Sequence, residues 1–393
     1  FAGLHLVSDK PINIGDFIEL NTGVSGHVLD IGWRSTRLRT LSSSITIVPN
    51  ALLADSIIIN NSSNGEKEVK ESRGESAYVW DCGDHYRALV IEGLGTKNLV
   101  ADAMKDITGK SYYKAIAQDA AACIINDLIT VGAKPEVVNA YFAVGDSSWF
   151  KNRERINDLL VGFKNACDLA SATWGGGETP TLSGIINPET IELGGATTGV
   201  ITPKSRLTLG ERLEVGDIIV LVESSGIHAN GLTLARKIAK SLPKGFATKM
   251  PSGKTFGETL LSPAHIYAKF VEKLFDAKIN INYMVNITGH GWRKIMRSSK
   301  KLTYVIENIP TPQEEFLFMQ KHGPTTDKEA YATFNMGAGF AIFIDKKDWL
   351  TLERVAKNQR LKVYNAGYVQ SGPRQVIIKP KNITFKGETL DLR

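Results

Sequence analysis

Glycines set beside acidic, amide and histidine side chains recur along this 393-residue chain. In Ile91-Glu92-Gly93-Leu94-Gly95-Thr96-Lys97-Asn98 they close an apolar strand. Bare glycine backbone can approach a phosphate closely, and Thr and Lys can add donors and charge. The spacing is not that of a P-loop, and taken alone such a segment is more often an ordinary turn. Asp119, Asn126 and Asp127 fall on one predicted helix. Asp119 and Asn126 are close to two turns apart, so they share a face with Cys123 between them. Carboxylate and amide oxygens suit magnesium, which takes a few protein oxygens and completes its shell with phosphates. A polar helix face, or a capping Asp, is the alternative, because Ile116, Ala120 and Ile124 look like core.

Trp174-Gly175-Gly176-Gly177-Glu178-Thr179-Pro180 holds consecutive glycines, which carry an entropic cost and need a reason. Close approach of backbone to a ligand is one, with Glu178 as metal ligand or base; a flexible loop is the other. Ser224-Ser225-Gly226-Ile227-His228-Ala229-Asn230-Gly231 joins a strand to a helix. A helix start offers free N–H groups and the positive end of a dipole, hence an anion site. His228 and Asn230 could point donors at a phosphate; equally, Asn230 could cap the helix with His228 in a turn. Asn286-Ile287-Thr288-Gly289-His290-Gly291-Trp292 repeats this strand, loop and helix logic, and Thr333-Phe334-Asn335-Met336-Gly337-Ala338-Gly339-Phe340 sets an amide before a strand. Singly, His290 and Asn335 are also plausible turn residues. His5, His27, His85, His265 and His322 lack such context and are read as structural.

Two kinds of element must position these residues. From Phe1 to about Ser62, period-2 alternation with glycines at the turns predicts a small β barrel. Asn60 to Glu68 is polar and has a linker's composition. From Glu75 onward, short apolar strands alternate with helical periods: strands at Ala88–Glu92, Val137–Phe142 and Glu192–Ile201, helices around Tyr113–Val131 and Ile156–Ala170. A second alternation starts with a strand at Ile218–Glu223 and a helix at Gly231–Ser241. It continues through a helix near Pro263–Asp276 to a strand at Gly339–Ile344.

Composition narrows the function classes. Hydrophobic residues are 42% and charged residues 22%, an ordinary soluble balance, and no apolar run is long enough to span a bilayer. No basic start leads into an apolar stretch as in a signal peptide. The net charge of +6 is spread along the chain, without a basic run interleaved with aromatics, so nucleic acid is not an expected partner. Cys82, Cys123 and Cys167 are odd in number and lack metal-ligand spacing, which predicts a reducing, cytoplasmic setting.

Taken in order, GLGTK at 93–97, NDL at 126–128, GGGET at 175–179, SSGIHANG at 224–231, ITGHGW at 287–292 and TFNMGAG at 333–339 resemble the aminoimidazole ribonucleotide synthetase (phosphoribosylformylglycinamidine cyclo-ligase) family over about 75–380. Its superfamily includes formylglycinamidine ribonucleotide amidotransferase, selenophosphate synthetase, thiamine-phosphate kinase and a hydrogenase maturation enzyme. The resemblance implies an α/β (α+β) two-domain synthetase, a homodimer, a small-molecule ribonucleotide substrate, and ATP with Mg2+ in the first domain. It implies that Glu92, Asp119, Asn126, Asp127 and Glu178 hold the metal. Gly93, Gly95, Thr96, Lys97, Gly175, Gly176, Gly177 and Thr179 would line the nucleotide. Ser225, Thr288, Gly289, His290 and Asn335 would bind the substrate, with His228, Asn230, Lys97 and Asp127 as catalytic residues. The implied reaction phosphorylates the formyl oxygen of formylglycinamidine ribonucleotide and closes the imidazole ring. Position 92 is Glu where the purine enzymes usually carry Asp, and 289–291 reads GHG rather than all-glycine. The family's glycine-rich lid stretch, which precedes this point, has no counterpart here.

In its place, residues 1–62 resemble the β domain of small-conductance mechanosensitive channels through Lys10-Pro11-Ile12-Asn13-Ile14-Gly15-Asp16, Arg34-Ser35-Thr36-Arg37-Leu38-Arg39-Thr40 and Val48-Pro49-Asn50. Without that family's pore helix, membrane association is not expected. The expected organisation is this β module at 1–62, a linker at 63–74, an ATP-binding domain at 75–205 and a second synthetase domain at 206–393. Two other functions fit less well: another ATP-dependent enzyme of the superfamily on a different small molecule, or a non-catalytic channel-associated protein acting through the β module.

Overall fold

The computed structural model describes residues 12–60 and 67–390. Lys10, Pro11, His5 and the Asn61–Glu66 part of the expected linker lie outside the described residues. The chain divides into two compact units, Phe1–Glu68 with Trp80–Gly83, and Val69–Val79 with Asp84–Arg393.

In the first unit, strands alternate inward and outward side chains as the sequence pattern predicts. Ile18, Leu20, Val28, Leu38, Val48 and Leu53 make a core separate from that of the larger unit. The strand order is Ile45–Pro49, Ser35–Arg39, Ser25–Ile31, Phe17–Leu20, Ile58–Asn60. The sheet is therefore open, not a closed barrel: its outermost strands are not paired with each other among the described residues. Leu53, from the short helix Asn50–Ala54, covers the core beside them. Gly26 is required by close packing, since a Cβ there would stand 2.7 Å from the Arg39 carbonyl oxygen. Thr36 Oγ1 donates to Asn50 Oδ1 at 2.9 Å, which ties two of the motif pieces together. Asn60 ends a strand and Lys67–Glu68 forms another, so the ends of the polar stretch are ordered.

The larger unit contains two sheet-and-helix halves. In the first, four strands run in the order Thr173–Glu178, Lys134–Val144, Ile191–Ile201, Tyr86–Gly93. Only Thr173–Glu178 is parallel to its neighbour in this group. Helices Tyr113–Leu128 and Arg153–Ala170 cover one face through Ile116, Ala120, Ile124, Leu159 and Phe163, all buried. In the second half, a seven-stranded sheet runs Ile281–Asn286, Ala338–Ile344, Ile218–Glu223, Val363–Ser371, Leu302–Ile306, Gln375–Ile378, Ile383–Lys386. Two of its inner strands read as near-continuous apolar runs, as strands covered on both faces do; Ile218–Val222 and all of Ala338–Ile344 are buried. The expected helix near Pro263–Asp276 begins only at Ala268, because residues 262–267 form an irregular segment hydrogen-bonded to the first half.

Candidate active site

The strand Tyr86–Gly93 and the helix Tyr113–Leu128 deliver Glu92 and Asp127 to a cleft between the two halves. Its volume is about 240 Å³, and it is lined by Glu92, Gly93, Leu94, Gly95, Cys123 and Asp127 from one half and Ala229, Asn230, Asn286 and Thr288 from the other. Asn286 Nδ2 donates to Asp127 Oδ1 at 2.7 Å, so the second half orients this carboxylate. Burial and the neighbouring Asp127 charge raise the Glu92 carboxyl above the usual carboxylate range, with Lys294 opposing. Lys294 is 7% exposed, and its ammonium donates to Thr288 Oγ1. Burial and the charges of Asp119, Asp127 and Glu92 push the Cys123 thiol far up, so it is no nucleophile near neutral pH. Gly95 has φ +74°, a left-handed turn that glycine adopts without strain.

The glycine run is a strand rather than a loop. It is the edge strand Thr173–Glu178, laid close on Lys134–Val144. A Cβ at Gly177 would stand 2.1 Å from the Ala140 carbonyl oxygen, and one at Gly175 would be 2.4 Å from Val137. Glu178 pairs in register with Tyr141, whereas Gly177 and Ala140 align with Gly195 and Glu92. Side chains alternate along a strand, so Glu178 and Glu92 stand on opposite faces of the sheet. They meet only around its end, where Glu92, Glu178 and Glu192 border a second cavity of about 580 Å³. Thr179 N is held by its neighbour's carboxylate, Glu178 Oε1, at 2.9 Å.

The expected metal face of the helix Tyr113–Leu128 binds protein instead. Asp119 and Asn126 do share a face, and it grips the irregular segment 262–267 of the second half. Asp119 Oδ1 accepts from Ala264 N at 2.8 Å, and its other oxygen is ion-paired with Lys97 at 2.7 Å. Lys97 and Asp119 are both fully buried, and Lys97 Nζ also donates to the Ser262 carbonyl oxygen. Asn126 accepts from Tyr267 N and donates to the His265 carbonyl oxygen. Asp119 and Asn126 are thus corrected from metal ligands to seam residues, and Lys97 from a phosphate ligand to the partner of Asp119. Their polar atoms already have partners inside the protein.

A similar correction applies at 224–231. His228 is 5% exposed and has φ +56°, and its Nε2 accepts from Ser225 N at 3.3 Å. Burial, with Lys97 and His265 nearby, holds its imidazole well below the ordinary histidine range, hence neutral. It packs by Tyr267, away from the cleft lining, which does not suit a substrate-contacting acid or base. Ser225 Oγ donates to the Pro263 carbonyl oxygen. Asn335 donates to the Gly226 carbonyl oxygen and accepts from Ser224 Oγ and Gly337 N, so its amide clamps this loop rather than a ligand. Asn230 and Thr288 do line the cleft. Gly289 lies against Asn230, and His290 is exposed beside them at φ +72°. Sequence reasoning missed Lys294, and left Asn286 and Glu192 out of the site. Arg293-Lys294 reads as a basic surface pair, and only its position after the Thr288 loop hints otherwise.

Among the described residues, no three His, Cys, Asp or Glu side chains are grouped to hold a metal ion. Glu92 and Asp127 together still fit magnesium, which binds through one or two carboxylates when phosphates complete its shell.

Two mixed sheet-and-helix halves meeting at a carboxylate-lined cleft define the class, that of AIR synthase related proteins. The family's N-terminal domain model matches residues 74–201 and its C-terminal domain model residues 214–379. Residues 1–63 match the β-domain of mechanosensitive ion channels. The phosphoribosylformylglycinamidine cyclo-ligase of Methanocaldococcus jannaschii is 34% identical over 289 residues, covering 73% of this chain and 79% of the relative. The chain belongs to the phosphoribosylformylglycinamidine cyclo-ligase family. Among solved structures, AaThiL complexed with AMPPCP and TMP superposes with a TM-score of 0.54 at 18% identity, over 80% of this chain and 90% of that one. Thermotoga maritima PurL complexed with ADP gives 0.51 at 13% identity, over 79% and 44%. Both show the shared fold.

Proposed function

We propose that the chain is an ATP-dependent cyclo-ligase that converts formylglycinamidine ribonucleotide into aminoimidazole ribonucleotide. The observation that carries this is the cleft itself, where Glu92 and Asp127 of one half face Asn286 and Thr288 of the other, with Lys294 held on Thr288. The nucleotides in the ThiL and PurL structures and the names of the relatives support it. Glu92 and Asp127 would hold magnesium, which supplies neutralisation of phosphate charge when bound. Gly93, Gly95 and Thr96 line the nucleotide, and Glu178, Gly175–Gly177 and Thr179 meet it around the end of the sheet. Asn230, Thr288, Gly289 and His290 take the ribonucleotide. The formyl oxygen attacks the γ-phosphate and ADP leaves; the amidine nitrogen then closes the ring and phosphate departs. Such transfer needs positioning and fixed charge rather than a covalent protein nucleophile. Asn286 fixes the Asp127 carboxylate and Lys294 sets positive charge at the cleft wall, while His228 keeps its loop in shape.

The test is ADP release with formylglycinamidine ribonucleotide against a panel of amides and amines. The expected result is turnover with the ribonucleotide alone; selective turnover of another substrate would move the chain to a different activity of the superfamily. Asp127→Asn should lower kcat by about 100-fold or more with an unchanged circular dichroism spectrum.

A homodimer accompanies this proposal. The sheet face opposite the helices exposes Ile91 at 80%, Leu89 at 41% and Tyr141 at 40%, an apolar surface suited to a second copy. Residues 1–62 would be an accessory module, 75–205 the nucleotide half and 206–393 the second half, working in the cytoplasm. No helix among the described residues is long and apolar enough to cross a membrane.

A further inference from the structure

Glu92 and Asp127 bring two negative groups into one narrow cleft, and Glu92 feels the Asp127 charge. Packing like charges together costs free energy unless a cation offsets them. Lys294, whose ammonium donates to the cleft-lining Thr288, is a cation that acts on Glu92. It is 7% exposed, from the short helix Gly291–Met296 that follows the Thr288 loop. Asp127 and Glu92 are among the charges acting on it. A buried ammonium next to two carboxylates would ordinarily form a contact ion pair, as Lys97 does with Asp119. Lys294 is instead held by the Thr288 hydroxyl, on the opposite wall, and Asp127 is held by Asn286. One positive charge thereby partly offsets the two carboxylates without a contact ion pair, and only Asp127 Oδ1 is taken, by Asn286.

We infer that Lys294 is a resident counter-cation: fixed by Thr288, it partly balances Glu92 and Asp127 when no divalent ion is present, and it weakens metal binding until a nucleotide brings phosphate charge. This rests on the assignment of Glu92 and Asp127 to magnesium. The consequence is ordered loading. Metal alone meets a cleft whose negative charge is already partly offset, whereas a metal–nucleotide brings the negative charge that a retained ammonium favours. Lys294 then contributes to neutralising the transferred phosphoryl group.

The test uses Mn2+ as a spectroscopic substitute for magnesium, titrated into the nucleotide-free full-length protein by electron paramagnetic resonance. Lys294→Met removes the charge at similar volume and should bind Mn2+ about tenfold more tightly than the wild type, from Coulomb interaction in a partly screened site. Lys294→Gln, which keeps a donor for Thr288, should show the same tightening if Lys294→Met does not fold. Lys294→Arg should keep the wild-type affinity. With Mn2+ and ATP saturating, turnover of Lys294→Met should fall by about 100-fold. Unchanged or weaker Mn2+ binding in both neutral variants, or no Mn2+ binding in any of the proteins, overturns the inference. Tightening of Mn2+ in a protein that never releases ADP with formylglycinamidine ribonucleotide would leave Lys294 in this role and remove the reaction instead.

Discussion

Lys97 and Asp119 have the residue types of a phosphate and metal site, yet both are fully buried against each other. Removing one member of such a pair leaves an uncompensated charge in the interior, at a cost of about 3–5 kcal/mol. Lys97→Met should therefore lower the urea midpoint sharply, and Lys97→Met with Asp119→Leu should recover much of it. Full stability of the single variant would show that the pair carries no weight. Glu315 offers a pH-dependent counterpart. It is 3% exposed, with its carboxylate beside Gly226, and burial pushes it up to about 7. A raised carboxyl pKa means that the folded state keeps a proton the unfolded chain loses, so stability is full below the unfolded value of about 4.5 and falls as pH rises towards 7. Glu315→Gln removes that loss, and its melting temperature should exceed the wild type's at pH 8 while matching it near pH 4.5. The chemistry of Lys97 and Asp119 was legible in the sequence, but their direction was not. A side chain that bonds the backbone of a distant segment has the same letters as one that bonds a ligand. Lys294 was missed for the converse reason, since nothing in Arg293-Lys294 distinguishes a buried lysine from an exposed one.

Elements with strong periodicity were readable and those without it were not. The strand Ile218–Glu223 and the helix Tyr113–Leu128 fall where their patterns predict. Gly175–Gly177 carries no side chains whose alternation could announce a strand, so the edge strand Thr173–Glu178 was invisible. Its glycines answer to the neighbouring backbone. Gly177→Ala should cost about 1–3 kcal/mol, because its Cβ would collide with the carbonyl oxygen of Ala140, whose strand is fixed on both sides. Differential scanning calorimetry checks this, and an unchanged melting temperature would mean that the edge strand yields freely. The open sheet of the first unit shows another limit, since alternation marks strands but does not reveal whether the last pairs with the first.

At the scale of the whole chain, two separate cores explain how two unrelated families can be matched in one sequence. Deleting residues 1–62 removes the strands of the first unit but retains Lys67–Glu68 and its pairing with Trp80 and Asp81. The shortened chain should stay soluble and release ADP at the full-length rate. Precipitation would show that the larger unit depends on the first. Ile91→Lys places a charge in the middle of the exposed apolar sheet face, and sedimentation velocity should then report a monomer against the dimer proposed for the unaltered chain.

The seam formed by Lys97, Gln118, Asp119 and Asn126 with the backbone of Ser262–Tyr267 has a mechanical corollary. Riveted in this way, the two walls are poorly suited to swing apart like jaws, because prising them open would strand a buried ion pair and several amides at once. On the function proposed above, admission of a triphosphate then falls to the rim of the cleft around the exposed His290, while the vault behind it keeps its shape.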